Sequence, residues 1–321
     1  MICIRAAMLL VLAALPFRVA AQDYPARAVT LVVPFPPGGS TTIVGRVVAE
    51  KMSETLGQPI VVENRGGAGG TVGTRSVARS AADGYTLLLG YTGTLAIGPS
   101  LYPNAGFDPR KDFAPVGRIG VAPTVLVLHP SLPVHSVAEL IAYAKDHPGT
   151  LNYGSAGIGT VGHLAGEFLA STAGIKLIHV PYRGTGPAMT DLLGGHIPMT
   201  FSPIPAAYGH IVSGSLRALA VTGAQRSSLL PDLPTIAEAG LPGYEAALRY
   251  GLVAPAATPR PIIERLNKEL RAALASAEVL KQLAADGAEA LPSTPEQYAA
   301  DIDREETVWS KVVTALGLKG E

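Results

Sequence analysis

Cysteine is almost missing from this chain. Cys3 is the only one among 321 residues, so from position 4 onward there is no disulfide, no thiol nucleophile and no cysteine metal site. An excess of either charge is missing too. The 25 basic side chains balance 25 acidic ones and are scattered, which gives no nucleic-acid-binding surface. No apolar run reaches a comfortable membrane span. Catalytic signatures are also lacking. There is no H-E-x-x-H, Ser155 is preceded by Tyr153-Gly154 rather than the Gly-x of a nucleophile elbow, and no acid pair comes with a histidine partner. The glycine-rich NRGGAGG at 64–70 lacks the Lys-Ser/Thr ending of a P-loop and reads as a surface turn. Gly157, Gly159 and Gly162 match G-x-G-x-x-G, but the following strand, 176–180, runs into Pro181-Tyr182-Arg183 instead of an acidic residue. No cofactor, metal or catalytic residue is assigned, and the absences favour a binder over an enzyme.

What is present begins with a leader. Arg5 precedes a short apolar run at 6–15, and Val19-Ala20-Ala21 supplies acceptable residues before a cleavage site after Ala21. Cys3 lies before that run, where it cannot serve as a lipid anchor. Removing the leader takes away Arg5 and Arg18 and leaves the mature chain slightly acidic. An exported chain of this kind fits a bacterial periplasm. Hydrophobic residues make up 48%, ample for a core, and the length suggests two domains.

The organising stretch is LVVPFPPGGSTT at 31–42. Leu31 to Val33 form a buried strand, the prolines end it, Gly38 and Gly39 turn, and Ser40, Thr41 and Thr42 open a helix with apolar residues at Ile43, Val44, Val47, Val48 and Met52. Free N–H groups and the helix dipole make such a helix start a cup for an anion; the plainer alternative is a capped strand-to-helix turn. Strand, helix, strand, helix, strand continues to residue 89, the pattern of a parallel sheet, and Thr92 to Thr94 follow the third strand. LNYGS at 151–155, the small-residue loop 156–162 and the helix opening at His163 repeat the same logic. His163 either fixes that loop or donates to a ligand. Tyr182 and Arg183 end the next strand, where an arginine either clamps a carboxylate or stays a solvated rim charge. Ser202 ends another. The β-rich stretches 116–128 and 244–254 cross between domains, and Ser136 with Glu139 forms a capping box.

VVPFPPGGSTT, VVENRGGAGG, DGYTLLLG, DFAPVGRIG, LNYGSAGIGTVGHLAGE, HVPYRGTGPAMTDLLGGHI, LRALAVT, LPTIAEAGLPGYE and GLVAPAATP, spread from residue 32 to 259, make the chain resemble the tripartite tricarboxylate transporter substrate-binding proteins, the Bug family. The resemblance implies an α/β, two-domain periplasmic binding protein (type II-like). Each domain is expected to be a mostly parallel sheet flanked by helices, with the ligand cleft between. Domain 1 is expected at 22–121 plus 250–321 and domain 2 at 122–249, after the leader at 1–21. It implies capture of a small carboxylate by hinge closure, as a monomer, for delivery to a membrane permease of that type or a sensor. Carried onto this chain, the ligand residues are Pro37, Gly38, Gly39, Ser40, Thr41 and Thr42 with Ser155, Ala156, Gly159, Thr160 and His163, flanked by Thr92, Thr94, Tyr182, Arg183 and Ser202. The family often has Asp where Thr42 stands, His where Leu95 stands, and Asn or Asp at Ser202-Pro203. Losing these polar groups predicts a less polar pocket, lined by Leu95, Ile158, Val161, Ile204 and Tyr208, suited to a carboxylate with an apolar or aromatic body. The rival is an exported hydrolase with Ser155 or Ser40 as nucleophile and His163 as base.

Overall fold

The computed structural model describes residues 24–37, 40–102, 104–315 and 317–318; the leader, Gly38 and Gly39 lie outside them. β1 (Val29–Val33) is buried at four of its five positions, as its unbroken apolar run requires of a strand covered on both faces. It leads to α1 (Ser40–Leu56), β2 (Ile60–Asn64), α2 (Thr71–Ala78) and β3 (Thr86–Tyr91). A π-helical turn, Gly93–Ile97, runs into the short helix α3 (Gly98–Leu101). Then come β4 (Phe113–Leu128), α4 (Val137–Asp146), β5 (Asn152–Ser155), α5 (Val161–Ala173), β6 (Ile178–Pro181), α6 (Thr185–Leu193), β7 (Met199–Pro203), α7 (Ile204–Val212) and β8 (Arg217–Val221). The chain closes with β9 (Ala247–Pro255), α8 (Arg260–Leu274), α9 (Ala277–Ala285), β10 (Glu289–Ala290) and α10 (Pro295–Ala315). None of the described helices is long and apolar enough to cross a membrane.

The strands run β2-β1-β3-β9-β4-β7-β5-β6, with β8 and β10 also on β4. β1 pairs in parallel with β2 and β3, and β5 with β6 and β7. Between these parallel groups lie β4 and β9, antiparallel to their neighbours. β4 changes partner in one residue step: Pro123 faces Ala247 of β9, and Thr124 faces Pro203 of β7. Proline has no N–H to give a ladder, and Thr124 N instead donates to Thr222 Oγ1 at 3.0 Å. The β4–β9 register slips around Gly117 and Gly120. A side chain at Gly120 would collide with Glu289 O of β10, so glycine permits that close backbone approach.

Each parallel group has its own core. Leu31, Val44, Val48 and Met52 pack with Leu252, Ile263, Leu266 and Leu270 on one side; Leu126, Leu128, Leu140, Tyr153, Leu164 and Phe201 pack on the other. Burying each such side chain is worth about 1.5–3 kcal/mol. Ile97, Leu101, Trp309 and Val313 belong to the second cluster, with Trp309 meeting Phe168 edge-on at 6.1 Å. Ile97 and Leu101 after β3 and the far end of the last helix thus pack on the second cluster, while Leu95 of the same turn and Tyr298 and Ile302 of the same helix pack with Val32 and Leu88 of the first parallel group. At the same junction Arg249 of β9 pairs with Glu305 of α10 at 2.7 Å and with Glu245. Thr92 Oγ1 donates to Glu305 at 3.0 Å and accepts from Arg249 N at 3.0 Å. Burial raises the Glu305 pKa, and Arg249 and the Thr92 hydroxyl work against that rise.

Candidate ligand-binding site

A cavity of about 530 Å³ lies at the C-terminal ends of the parallel strands, where open α/β sheets hold ligands. The loops after β1, β5 and β6 reach it, and so does the end of β7. Three helix starts line it: Thr41 of α1, Thr160 to Gly162 at α5, and Gly184 to Gly186 at α6. α5 is capped by Thr160 Oγ1, which accepts from His163 N at 3.4 Å. α6 has Gly184 at its cap, with φ 120° and no side-chain cap. N–H groups at such ends favour an anion. Among the described residues Arg183 is the only charged side chain lining the cavity, and no ion pair to another described residue occupies it. The remaining wall is largely apolar, from Phe35, Tyr91, Val161, Met189, Phe201 and Leu248. An anionic head with an apolar body matches this surface.

The loop after β1 is held from behind. Asn64 Nδ2 donates to Phe35 O and Thr42 Oγ1, both at 2.8 Å. The glycine-rich segment expected to be a surface turn braces the loop. A side chain at Gly66 would meet Pro36 at 2.8 Å, one at Gly73 would meet the Pro34 Cα at 3.0 Å, and Tyr91 donates to Gly69 O at 2.9 Å.

Of the ligand residues inferred from the sequence, Pro37, Thr41, Ala156, Thr160, Arg183 and Ser202 line the cavity. Gly38 and Gly39 lie outside the described residues, and Ser40 opens α1. The others sit a layer back and hold the liners. Thr42 is turned to Asn64, and Thr92 joins the Arg249–Glu305 pair. Thr94 is fully buried and donates to Tyr91 O at 3.3 Å. Tyr182 donates to Asp191 at 2.7 Å. Ser155 is fully buried, shares a 2.6 Å hydrogen bond with His179 Nε2 and accepts from Gly157 N at 3.1 Å. Gly159 N donates to His163 Nδ1 at 3.2 Å, and the His163 ring stacks on His179 at 4.0 Å. Burial, with the charge of His179 second, pushes His163 down to about 3, and burial pushes His179 down to about 4. Both imidazoles are neutral struts of the loop after β5.

This geometry does not support the hydrolase alternative drawn on Ser155 and His163. The histidine on Ser155 is His179, not His163, and neither Ser155 nor His179 lines the cavity. The apolar lining also differs from expectation. Only Val161 of the anticipated residues takes part; Leu95 and Ile204 are core, Ile158 packs on the second cluster, and Tyr208 is exposed on α7. The helix start at Gly184-Thr185-Gly186 is legible in the sequence as strand, small-residue loop and helix, but sequence reasoning did not count it among the ligand residues. It also left out Leu248 and Tyr250, which β9 brings to the cavity from between β3 and β4, and Tyr91, at the end of β3 opposite Tyr250.

A sequence profile described as the tripartite tricarboxylate transporter family receptor matches residues 44–318. The chain belongs to that family. It is a solute-binding receptor of the tripartite tricarboxylate type. Its relatives include the protein BugT of Bordetella pertussis, 42% identical over 94% of this chain and 93% of that one. Among solved structures, Rpa4515 of R. palustris with adipate is 40% identical, covers 92% of this chain and 99% of that one, and superposes with a TM-score of 0.84. MatC of Rhodopseudomonas palustris with bound malate is 35% identical, covers 90% and 100%, and has a TM-score of 0.80. The fold inferred from the sequence, a two-lobed α/β receptor fold, agrees with these neighbours.

Proposed function

We propose that this receptor captures a small carboxylate with an apolar or aromatic body in the periplasm, after cleavage of its leader, and passes it to a membrane permease or a sensor. It acts as a monomeric binder with no covalent step, and its domains are 22–121 plus 250–321 and 122–249. One observation carries the ligand class: three helix starts and Arg183 line a cavity that is otherwise mostly apolar and has no acidic side chain among its described liners. One carboxylate sits at the starts of α1 and α5, and Arg183 closes on it from the rim. The acids bound by the two solved neighbours, adipate and malate, support the class.

Capture proceeds by hinge closure about β4 and β9, a population shift driven by the ligand's preference for the closed state. Contacts between residues 22–121 plus 250–321 and residues 122–249 support this reading. A side chain at Gly159 would meet Leu101 at 2.8 Å and the Tyr102 hydroxyl at 3.4 Å, and the same hydroxyl lies 3.0 Å from the corresponding position at Gly69. Tyr102 thus sits between the two glycine loops. On another side, Gly287 abuts Pro205. The test is a thermal-shift panel of mono-, di- and tricarboxylates, aromatic ones included, on the mature protein. An acid at about a hundred times its Kd adds roughly 2.7 kcal/mol. The reading expects acids with apolar bodies to rank above citrate, and citrate ranking first would overturn that part of it.

A further inference from the structure

Tyr102 follows α3 and does not line the cavity, yet the tip of its ring reaches two loops that do shape it. A side chain at Gly69 would lie 3.0 Å from the Tyr102 hydroxyl oxygen and 3.4 Å from Cζ, and one at Gly159 would lie 3.4 Å from the same oxygen. Each glycine belongs to one half of the anion cup. Gly159 leads into α5, and its N–H is held by His163 Nδ1 at 3.2 Å. Gly69 is in the glycine-rich segment whose Gly66 abuts Pro36 of the loop after β1. The Gly69 carbonyl accepts from Tyr91, which lines the cavity. Tyr102 itself is anchored. It packs on the second cluster, its N–H donates to Gly98 O at 2.8 Å, and its carbonyl accepts from Ala105 N at 2.9 Å.

Pro36 and Thr160 both line the cavity, so the spacing of these two loops sets the distance between the helix starts that one anion must bridge. We infer that Tyr102 is a positioning residue for the ligand: its ring tip is a spacer between Gly69 and Gly159 and holds the starts of α1 and α5 at the separation where one carboxylate reaches both. This rests on the carboxylate reading above. Tyr102 touches no ligand and acts through the fraction of protein whose two helix starts stand at that separation. A planar ring with two side-chain torsions suits a spacer, because little freedom is lost in holding it. Leucine at this position would keep apolar contact with the second cluster and lose the tip. Phenylalanine would lose only the hydroxyl oxygen.

The experiment is a double-mutant cycle on the mature chain, with Tyr102→Leu, Gly69→Ala and the pair, and Tyr102→Phe beside them, titrated calorimetrically with adipate, malate and benzoate. For an acid that the native protein binds, Tyr102→Leu lowers affinity about tenfold, as when the competent fraction falls to about a tenth. Tyr102→Phe lowers it less. Gly69→Ala sets a methyl against the ring tip and also weakens binding, but costs nothing further once Tyr102 is leucine, because the tip is gone. The positive φ of Gly69 strains alanine alike in free and bound protein and so leaves the affinity comparison untouched. A merely structural tyrosine would lower the melting temperature, leave the affinity of folded Tyr102→Leu at the native value, and show no coupling to Gly69. Native affinity in Tyr102→Leu, or additive losses in the pair, overturns the inference while leaving carboxylate capture in place. If Tyr102→Leu does not fold, Gly69→Ala decides alone: it keeps the tyrosine, and native affinity there overturns the inference. A native protein that binds none of the acids overturns both.

Discussion

His163 and His179 stack with their ring centres 4.0 Å apart, and each ring's hydrogen bond holds the same loop. His163 takes Gly159 N, and His179 shares a proton with Ser155. Their pKa values are pushed from 6.5 down to about 3 and about 4, so between those values and 6.5 the unfolded chain binds more protons than the folded one. Stability from this pair is fully present above about pH 6.5 and is lost as pH falls toward 4 and below. The expected loss is a few kcal/mol, because each tenfold weakening of proton binding is worth about 1.4 kcal/mol. Urea unfolding at pH 7.5 and 4.5, with His179→Gln beside native, checks this. An equal fall in the variant would remove His179 from the account.

Ser155→Ala leaves the buried His179 nitrogen short of a partner, which costs about 1–3 kcal/mol. The same variant separates a strut from a nucleophile. Purified native protein and Ser155→Ala are both expected to turn over p-nitrophenyl esters no faster than buffer. Turnover by native protein that disappears in the variant would restore the hydrolase.

Arg183 is exposed and unpaired among the described residues, so Arg183→Gln should leave thermal stability within about 0.5 kcal/mol. Ligand affinity should fall about tenfold or more, the scale of a charge-assisted hydrogen bond. Titration at two salt concentrations gives a second check: the native association rate falls with salt and that of the variant responds less. Unchanged affinity would return Arg183 to the solvated rim.

Gly159 has φ 77° and packs on Leu101. Gly159→Ala places a side chain in the left-handed region, which costs roughly 1–2 kcal/mol, and presses on Leu101 as well. Weaker ligand binding together with a lower melting temperature is the expected pair of changes. A variant as stable and as tight as native would show that the loop after β5 is looser than its contacts indicate.

Glu305 is nearly buried and carries both the Arg249 pair and the Thr92 hydrogen bond. Glu305→Ala should cost about 3 kcal/mol, because one partner of a buried ion pair is removed and the other left behind. Arg249 retains Glu245, which limits the loss. Guanidinium unfolding measures it, and a loss below about 1 kcal/mol would mean that Glu245 alone satisfies Arg249.

The sequence by itself determined the local devices. The run from β1 into α1 and its repeat from β5 into α5 were legible, because a buried strand, a small-residue loop and a hydroxyl before an apolar-periodic helix satisfy backbone needs within a few residues. The Ser136 cap formed as read: Glu139 N donates to Ser136 Oγ at 3.1 Å, although Glu139 reaches back to His135 N rather than to the cap itself. Both crossing stretches became strands. Tertiary structure decided which side chains meet the ligand. Thr41 and Thr42 are neighbours in sequence, yet about 100° of helix rotation puts one in the cavity and the other on Asn64. Ser155 met His179 instead of His163 because the parallel register sets Tyr153 beside His179 and Ser155 beside Pro181. Tyr250 entered the site across β3 through a strand order that joins residues 159 positions apart. Caps and turns follow from short-range hydrogen bonding, whereas the pocket's lining follows from strand order and register, which no local stretch of the chain encodes.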